Sequence, residues 1–424
     1  MKKTIKLAVV AALALGTTSA FATNGSNLMG IGIKARGMGG TAIGIAHGAE
    51  SALANPALIS SVKNAELSFG GTVFMPDVQA NMGAGSVPST ADMNLIPEVS
   101  YANKVNDNFW MGIGMWGTAG MGVDYRDQTG FTSNFNMITN LAILQFGVPM
   151  AYKTGNFSVG ITPLMQYGAL DMSFGGTLDT SSAFAGGMAP AASSAVGFDD
   201  GISQDLKFGY TLGMAYEMGN MTLGASYKSK IDMDYQGQVS GASAVFAAFG
   251  AFGGTALSDE LSTPAEIGVG ASYKMGSSTI AVDYKNIKWS DARGYSDFKW
   301  EDQNVIALGY QYHAGKDWSL RLGYNHASNP VKPQAPVSGM DWTGSAINMF
   351  NALGFPAIVE SHYSIGGCYH LTDSTRLDLA YTYAPEVTET YSTAGFAGFG
   401  PTNPQSVVVK HSQTGISAAV TINF

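Results

Sequence analysis

Hydrophobic and polar residues alternate along most of the chain from Glu66 onward. Between Leu206 and Glu217 one parity is apolar (Phe208, Tyr210, Leu212, Met214 and Tyr216), and the other carries Lys207, Gly209, Thr211 and Gly213. This period of two is typical of a β-strand with two different faces. About fourteen such segments are predicted, at residues 66–75, 94–104, 108–122, 138–153, 157–171, 205–217, 221–236, 263–275, 279–290, 302–313, 317–326, 361–371, 375–385 and 406–424.

The connections between these segments alternate in length. Gly155-Asn156 and Thr372-Asp373 are short, whereas Ser173–Gln204, Gln236–Ser262 and His326–Ser361 are long. An antiparallel up-and-down β-barrel in an outer membrane has this arrangement, with tight periplasmic turns and longer extracellular loops. We therefore predict an all-β transmembrane barrel over residues 61–424, with the apolar face toward lipid and the polar face toward the lumen.

The first 22 residues have the pattern of an export signal. Three lysines precede the apolar run Leu7–Leu15, and Ala20-Phe21-Ala22 fits a cleavage site. The apolar run is shorter than a membrane-spanning helix requires. We predict that residues 1–22 are removed, that the mature chain starts at Thr23, and that the barrel lies in the outer membrane of a Gram-negative bacterium.

Residues 23–60 fit neither a strand nor a regular helix. The segment is rich in glycine, which destabilises helix interiors, and it does not alternate. A barrel lumen can enclose short helical turns that would not be stable alone, so we predict a hatch that plugs the lumen. Asn55, Pro56 and Ala57 are the predicted rigid corner before the first strand.

Composition narrows the functional classes. The chain has 54 glycines, 12% charged residues and a net charge of −9, which favours one large β-domain and argues against nucleic acid as a partner. Cys368 is the only cysteine, and the six histidines form no H-E-x-x-H motif, so no metal or cofactor is predicted. The glycines at Gly112–Gly117 lie in an alternating segment rather than in a nucleotide-binding unit. Since no G-x-S-x-G nucleophile motif occurs either, no catalytic residue is predicted.

Several short motifs, in their order along the chain, resemble the FadL/TodX family of outer-membrane transporters for hydrophobic compounds. They are Arg36-Gly37-Met38-Gly39-Gly40, Asn55-Pro56-Ala57, Ser226-Tyr227-Lys228-Ser229-Lys230, Trp289-Ser290, Leu320-Arg321-Leu322-Gly323-Tyr324, Asn329-Pro330-Val331 and the terminal Phe424. The resemblance covers essentially the whole mature chain. It implies a 14-stranded barrel with an N-terminal hatch, a hydrophobic capture site among the extracellular loops, and lateral exit beside a kinked third strand.

Apolar residues in three long loops are the candidate ligand-binding residues: Phe184, Met188, Phe246, Phe249, Phe252, Met349, Phe350 and Phe355. They could pack together as a cap over the barrel or form a groove for hydrocarbon, because large apolar patches usually mark binding sites. Both interpretations remain open from sequence.

The other candidate site residues are glycines and charged residues. Gly117 and Gly120 are the predicted kink of the third strand, because glycine often marks a bulge. Arg36 and Lys332 are candidate cations for a substrate carboxylate. The other charges on the inward parity are expected to pair with one another: Lys228, Lys230, Asp232, Asp234, Asp283, Lys285, Arg321 and Asp378.

Passive uptake of a hydrophobic small molecule is the favoured function, with loop capture, hatch rearrangement and lateral diffusion. Fatty acid and neutral hydrocarbon both remain open, because the region after Asn329-Pro330-Val331 lacks the arginine pattern of fatty-acid-type members. The alternatives are a structural or adhesive barrel without transport and, less favoured, an outer-membrane lipid hydrolase. We expect a monomer that contacts outer-membrane lipid and lipopolysaccharide.

Overall fold

Fourteen strands close into one antiparallel barrel in the computed structural model, which describes residues 23–83, 85–126, 135–179, 193–248, 250–335, 342–394 and 405–424. The strands are β1 (Ala65–Asn81), β2 (Asn94–Lys104), β3 (Phe109–Asp124), β4 (Ile138–Gly147 and Met150–Thr154), β5 (Phe157–Asp179), β6 (Ser203–Met218), β7 (Met221–Lys228), β8 (Glu266–Met275), β9 (Ser278–Ile287), β10 (Gln303–Ala314), β11 (Trp318–Ala327), β12 (Ser361–His370), β13 (Thr375–Ser392) and β14 (Ser406–Asn423). Each strand pairs with its neighbour in sequence, and β14 pairs with β1. The predicted fold class is confirmed.

Shorter elements lie in the loops and in the N-terminal segment. The helices are α1 (Ile33–Arg36), α2 (Gln238–Ala247) and α3 (Thr343–Met349), with tighter or wider helical turns at Gly48–Ala52, Pro56–Ser61, Ala251–Gly254, Trp289–Asp291 and Phe350–Gly354. Short extended pieces occur at Thr23–Asn24, Asn27–Leu28, Val87–Pro88 and Ser193–Asp199. Within the described part of the chain, none of the helices is long and apolar enough to cross a membrane.

The two faces of the wall differ as the alternation predicts. Outward side chains such as Phe208 (74% exposed) and Ile113 (62%) would contact lipid. Inward side chains are mostly small or polar and are buried, as at Thr72, Gln166 and Asn325. Since lipid has no water to solvate polar groups, closure of the ladder from β14 to β1 satisfies the backbone.

The strands β1, β5 and β13 extend six to eight residues beyond their predicted ends at residues 75, 171 and 385, and two other strands are shorter or interrupted. The strand β7 ends at Lys228, although alternation continues to residue 236, because Ile231, Met233 and Tyr235 turn inward and become buried under the loops. The strand β4 is interrupted at residues 148–149, where Pro149 has no N–H to donate to the ladder.

The segment Thr23–Val62 lies inside the barrel, and nearly all of it is buried. Its backbone is in close contact with inward glycines of the wall: a Cβ at Gly323 would collide with the backbone nitrogen of Gly39, and one at Gly224 with the carbonyl oxygen of Ile43. Such close approach of two backbones requires glycine. A functional division into hatch (23–60) and barrel (61–424) stays a prediction, and the predicted signal (1–22) lies outside the described residues.

Candidate functional site

Aromatic and aliphatic side chains from several loops form one buried cluster at the extracellular end of the barrel, which we call the loop cluster. Its centre is Phe246 on α2, whose ring centroid lies 4.9 Å from that of Phe350 in an edge-to-face arrangement. Met349 and Phe355 are also fully buried there. Phe252 is half-buried, and its ring lies 6.3 Å from Phe350. The structure therefore brings five predicted ligand-binding residues together, whereas Phe184, Met188 and Phe249 lie outside the described residues.

A second aromatic group in the loop cluster was missed by sequence reasoning. Trp289, Tyr295 and Trp300 pack in edge-to-face and tilted arrangements, with centroid distances of 4.6 to 5.0 Å. The Trp300 indole donates a hydrogen bond to Asn351 Oδ1 (2.9 Å), which ties the 289–300 loop to the segment after α3. Trp289 lay at the end of a predicted strand (279–290), and only the aromatic character of Tyr295 and Trp300 in the following loop could have indicated the group.

Three tyrosine phenols are buried in the loop cluster. Burial raises the pKa of Tyr125, Tyr235 and Tyr295 above the usual value for tyrosine. Burial also disfavours any charged group left there without a partner. The side chains pack against one another in this conformation, so the loop cluster caps the barrel; its use as a hydrocarbon groove stays a prediction.

The wall is interrupted between β2 and β3. Their ladder stops at Glu98↔Trp116, although β2 begins at Asn94 and β3 continues to Asp124. At the extracellular side the gap is bridged, because Thr90 N–H donates to Asp124 O (2.8 Å). We call this interruption the wall gap.

Gly117 and Gly120 both lie at the wall gap. The register of β3 shifts between Gly117 and Ala119, so a bulge occurs at the predicted kink. A Cβ on Gly117 would lie 2.7 Å from the Ile96 side chain, and Pro97 of β2 has no N–H for a ladder bond. A role of these glycines in lateral opening stays a prediction.

A short hairpin formed by Thr23–Leu28, which we call the N-terminal hairpin, covers the wall gap from the lumen side. Asn27 pairs with Ala119 of β3, and Gly120 N–H donates to Ser26 O (3.0 Å). Leu28 packs with Phe74 and Ile96 behind the gap. The hairpin thus occupies β3 hydrogen-bonding groups that β2 leaves unused.

The predicted hatch corner has a defined geometry. Asn55 Oδ1 accepts a hydrogen bond from Ala57 N–H (3.2 Å), and Pro56 begins the helical turn that follows. The Asn55 amide also donates to Ile43 O (2.8 Å) and to Met214 O on β6 (3.1 Å). This corner therefore fixes the segment both to itself and to the wall.

Arg36 is not the unpaired cation that the sequence suggested. Its guanidinium forms a two-pronged ion pair with Glu98 of β2, and Nη1 also donates to Thr72 Oγ1 (2.8 Å). The pair is fully buried, so the arginine is already neutralised. Lys332 is exposed beside Val331, a member of the loop cluster, and makes no ion pair within the described part of the chain.

Most inward charges pair as expected. Arg321 lies 2.8 Å from Asp378, and Arg376 bridges Asp378 and Glu66. Lys230 and Asp232 pair with each other at 3.0 Å. Sequence reasoning missed the carboxylates Glu50, Glu66, Glu98 and Glu266 as partners, although the last three lie on the inward parity of their strands.

Residues 7–424 match the family described as outer membrane protein transport protein (OMPP1/FadL/TodX). The chain belongs to this family. As a member of the FadL/TodX family with a closed barrel, the protein resides in the outer membrane of a Gram-negative bacterium.

Named relatives agree with this assignment. The chain is 23% identical over 370 residues to a long-chain fatty acid transport protein of Escherichia coli O6:H1, an alignment that covers 77% of this chain and 82% of that protein. The structure of a Pseudomonas aeruginosa FadL homologue aligns with a TM-score of 0.71 and 16% identity, over 94% of this chain and all of that one. The Pseudomonas putida toluene transporter TodX aligns with a TM-score of 0.67 and 19% identity, over 93% and 99% of the two chains. The similarity to these solved structures shows that this FadL/TodX member has the same fold as they do.

Proposed function

We propose that the protein admits hydrophobic molecules by passive diffusion from the loop cluster through the upper lumen and sideways through the wall gap. The observation that carries this proposal is the wall gap itself, an interrupted ladder closed from inside by a separate hairpin. The names of relatives support it, since one transports long-chain fatty acids and another toluene. Such transport needs no catalytic group.

Capture begins in the loop cluster. Burying apolar surface gives about 25 cal/mol per Å², which suffices for reversible binding without covalent chemistry. Phe252 is the most accessible of the predicted aromatic residues that the structure describes, and it has a left-handed backbone (φ 55°) directly before Gly253 and Gly254. We infer that this turn is where a ligand first enters the cluster.

The hatch divides into a fixed part and a movable part. From Gly37 to Ala57 its backbone lies against inward glycines of the wall, and we call this part the belt. Asp283 of β9 accepts hydrogen bonds from the N–H groups of Ala42 and Ile43 at 2.7 and 2.8 Å. Moving the belt would break these contacts at once, so we propose that it stays in place during transport.

The N-terminal hairpin is held by a short backbone contact with β3 and by side chains. Its described links are the bridge at Asn27↔Ala119, the Gly120–Ser26 bond, contacts between Thr23 and Gln413, a 3.2 Å hydroxyl contact between Ser26 and Tyr295, a hydrogen bond from the Asn27 amide to Glu266 (3.1 Å) and the packing of Leu28 on Phe74 and Ile96. We propose that hairpin withdrawal is the hatch rearrangement, and that it opens the wall gap toward lipid.

A disulfide between hairpin and wall tests this mechanism. In a Cys368→Ser background, Asn27→Cys and Ala119→Cys place two thiols on paired residues, a separation that a disulfide can span. Oxidation should abolish uptake of a fluorescent fatty acid and of a neutral aromatic hydrocarbon by cells, and reduction should restore it. The matched controls are Asn27→Cys alone and a cross-strand cysteine pair at Leu308 and Tyr324, far from the gap. Full uptake by the oxidised hairpin variant would refute hairpin withdrawal.

We further propose that one chain suffices for this activity. The outward apolar residues of each strand would contact outer-membrane lipid, and lipopolysaccharide would surround the extracellular ends. Each strand has a partner on both sides, and the N-terminal hairpin covers the wall gap, so a second copy is not needed to complete the sheet.

A further inference from the structure

A groove indents the lipid-facing side of the wall across β11, β12 and β13, and we call it the wall groove. Its volume is about 500 Å³, and its lining is almost entirely apolar. Gly367 of β12 lies at its centre, on the same outward parity as Ile365 and Tyr369. Leu320 and Leu379 are the register partners of Gly367 on the two neighbouring strands. The groove therefore arises where a glycine is surrounded on four sides by large apolar side chains.

The shape of the wall groove is fixed by the backbone. A Cβ on Gly367 would lie 2.7 Å from the carbonyl oxygen of Ser319, so a larger residue fits there only if the strands shift. The surrounding outward residues face membrane hydrocarbon, because the protein lies in the outer membrane. An acyl chain lying in the groove makes more dispersion contacts than one against a flat part of the wall. A lipid at this position would therefore be held more strongly than its neighbours.

The wall groove lies near the periplasmic end of the barrel. Turns 315–317 and 371–374 join strands that border it, and both turns lie at the end opposite the loop cluster. Trp318 and Tyr369 line the groove on this side, with ring centroids 4.5 Å apart. Aromatic residues concentrate at the membrane–water interfaces of outer-membrane barrels. The groove therefore lies in the periplasmic leaflet, which consists of phospholipid, whereas lipopolysaccharide occupies the outer leaflet.

The charges beside the wall groove favour a zwitterionic head group. Lys316 and Asp317 directly precede Trp318, and both are exposed. Neither makes an ion pair among the residues that the structure describes. Asp373 is exposed in the adjacent turn, so these turns carry no excess of positive charge that would favour an anionic lipid. A head group with both a phosphate and a primary ammonium complements the lysine and the carboxylates together.

We propose that the wall groove binds one phospholipid of the periplasmic leaflet, with an acyl chain over Gly367 and a phosphoethanolamine head group at Lys316 and Asp317. The site lies on the outer face of the barrel, so it does not depend on the uptake route through the lumen. The bound lipid would remain with the barrel when the surrounding lipid is exchanged for detergent.

Native mass spectrometry of the barrel counts bound lipid directly. The purified protein, washed in a detergent that removes the surrounding lipid, would be titrated separately with phosphatidylethanolamine and phosphatidylglycerol of the same acyl chains. One phosphatidylethanolamine should bind per barrel, and more tightly than phosphatidylglycerol. Leu320→Trp and Leu379→Trp place a ring beside Gly367 and should each weaken binding of both lipids at least about tenfold, since losing the contacts of about two methylene groups is enough for that factor.

Charge variants test the head-group contact separately. Asp317→Asn should remove the preference for phosphatidylethanolamine, and Lys316→Met should weaken binding of both lipids through their shared phosphate. The matched controls are Leu212→Trp, on the outward face of β6, and Lys63→Met, exposed at the periplasmic end but outside both turns. Both controls should bind phosphatidylethanolamine as the wild type does. Heat-dependent gel migration would verify that each barrel is folded.

Other occupants of the wall groove would give different outcomes. Equal lipid binding by the groove variants and Leu212→Trp would overturn the groove as a lipid site, and equal affinity of the wild type for both lipids would overturn the head-group assignment. A dimer without bound lipid, lost in Leu320→Trp, would assign the groove to a second copy of the chain instead. Oleate that displaced the phospholipid would assign it to the transported ligand. Each of these results would leave uptake through the wall gap standing, because the hairpin disulfide tests that route separately.

Discussion

The anchor at Asp283 allows a quantitative test of the fixed belt. In Asp283→Ala, the N–H groups of Ala42, Ile43 and Gly44 lose an acceptor at 2.7, 2.8 and 3.3 Å. A hydrogen bond to a charged group contributes about 1.5–3 kcal/mol. The two short bonds are counted at the low end of this range, because water entering the adjacent cavity can replace part of the interaction. The expected loss is then about 3 kcal/mol. The open population of this stretch should then rise roughly 100-fold, at 1.4 kcal/mol per tenfold.

Hydrogen exchange measures this population directly. Backbone amides exchange through local opening, so a peptide containing residues 42–44 should exchange faster in Asp283→Ala by about the same factor. Asp283→Asn keeps the shape and one acceptor and should show a smaller increase. Asp373→Ala, in an exposed turn, is the control. Equal exchange in Asp283→Ala and the control would refute the claim that Asp283 holds the belt.

Two further predictions concern contacts between the hatch and the wall. Gly323→Val places side-chain atoms where the backbone of Gly39 lies; the belt should be displaced and conductance in planar bilayers should rise, whereas Gly175→Val, at a position of β5 with open space around it, should leave it unchanged. Arg36→Met leaves the buried Glu98 without its partner, which costs about 3–5 kcal/mol and should lower the temperature of barrel unfolding, while adding Glu98→Gln should recover part of the loss; an unfolding temperature equal to wild type would contradict the pairing.

The barrel could be predicted because lipid and lumen impose opposite requirements on neighbouring residues. In β6, Phe208 and Leu212 face lipid while Thr211 faces the interior, so alternation alone reveals the strand. The same rule fails after Lys228. There Ile231, Met233 and Tyr235 keep the alternating pattern but are buried in the loop cluster, because an apolar interior and lipid select the same side chains.

Pairing across the lumen could not be predicted from a single sequence. Arg36 and Glu98 are 62 residues apart, and parity shows only that Glu98 faces inward, not which cation it meets. The extent of the wall gap could not be predicted either, because it consists of ladder bonds that β2 and β3 do not make. The sequence indicated its position only through Gly117 and Gly120, the predicted kink of the third strand.

Several glycines of the wall have a specific structural role that the sequence alone did not show. The abundance of glycine first suggested many turns, but Gly224, Gly309 and Gly323 lie inside strands and give the belt room to approach the wall. The belt is therefore held by its shape against the wall, whereas the N-terminal hairpin, which we propose to be the part that moves, meets the wall at the single bridge between Asn27 and Ala119 and through side-chain contacts.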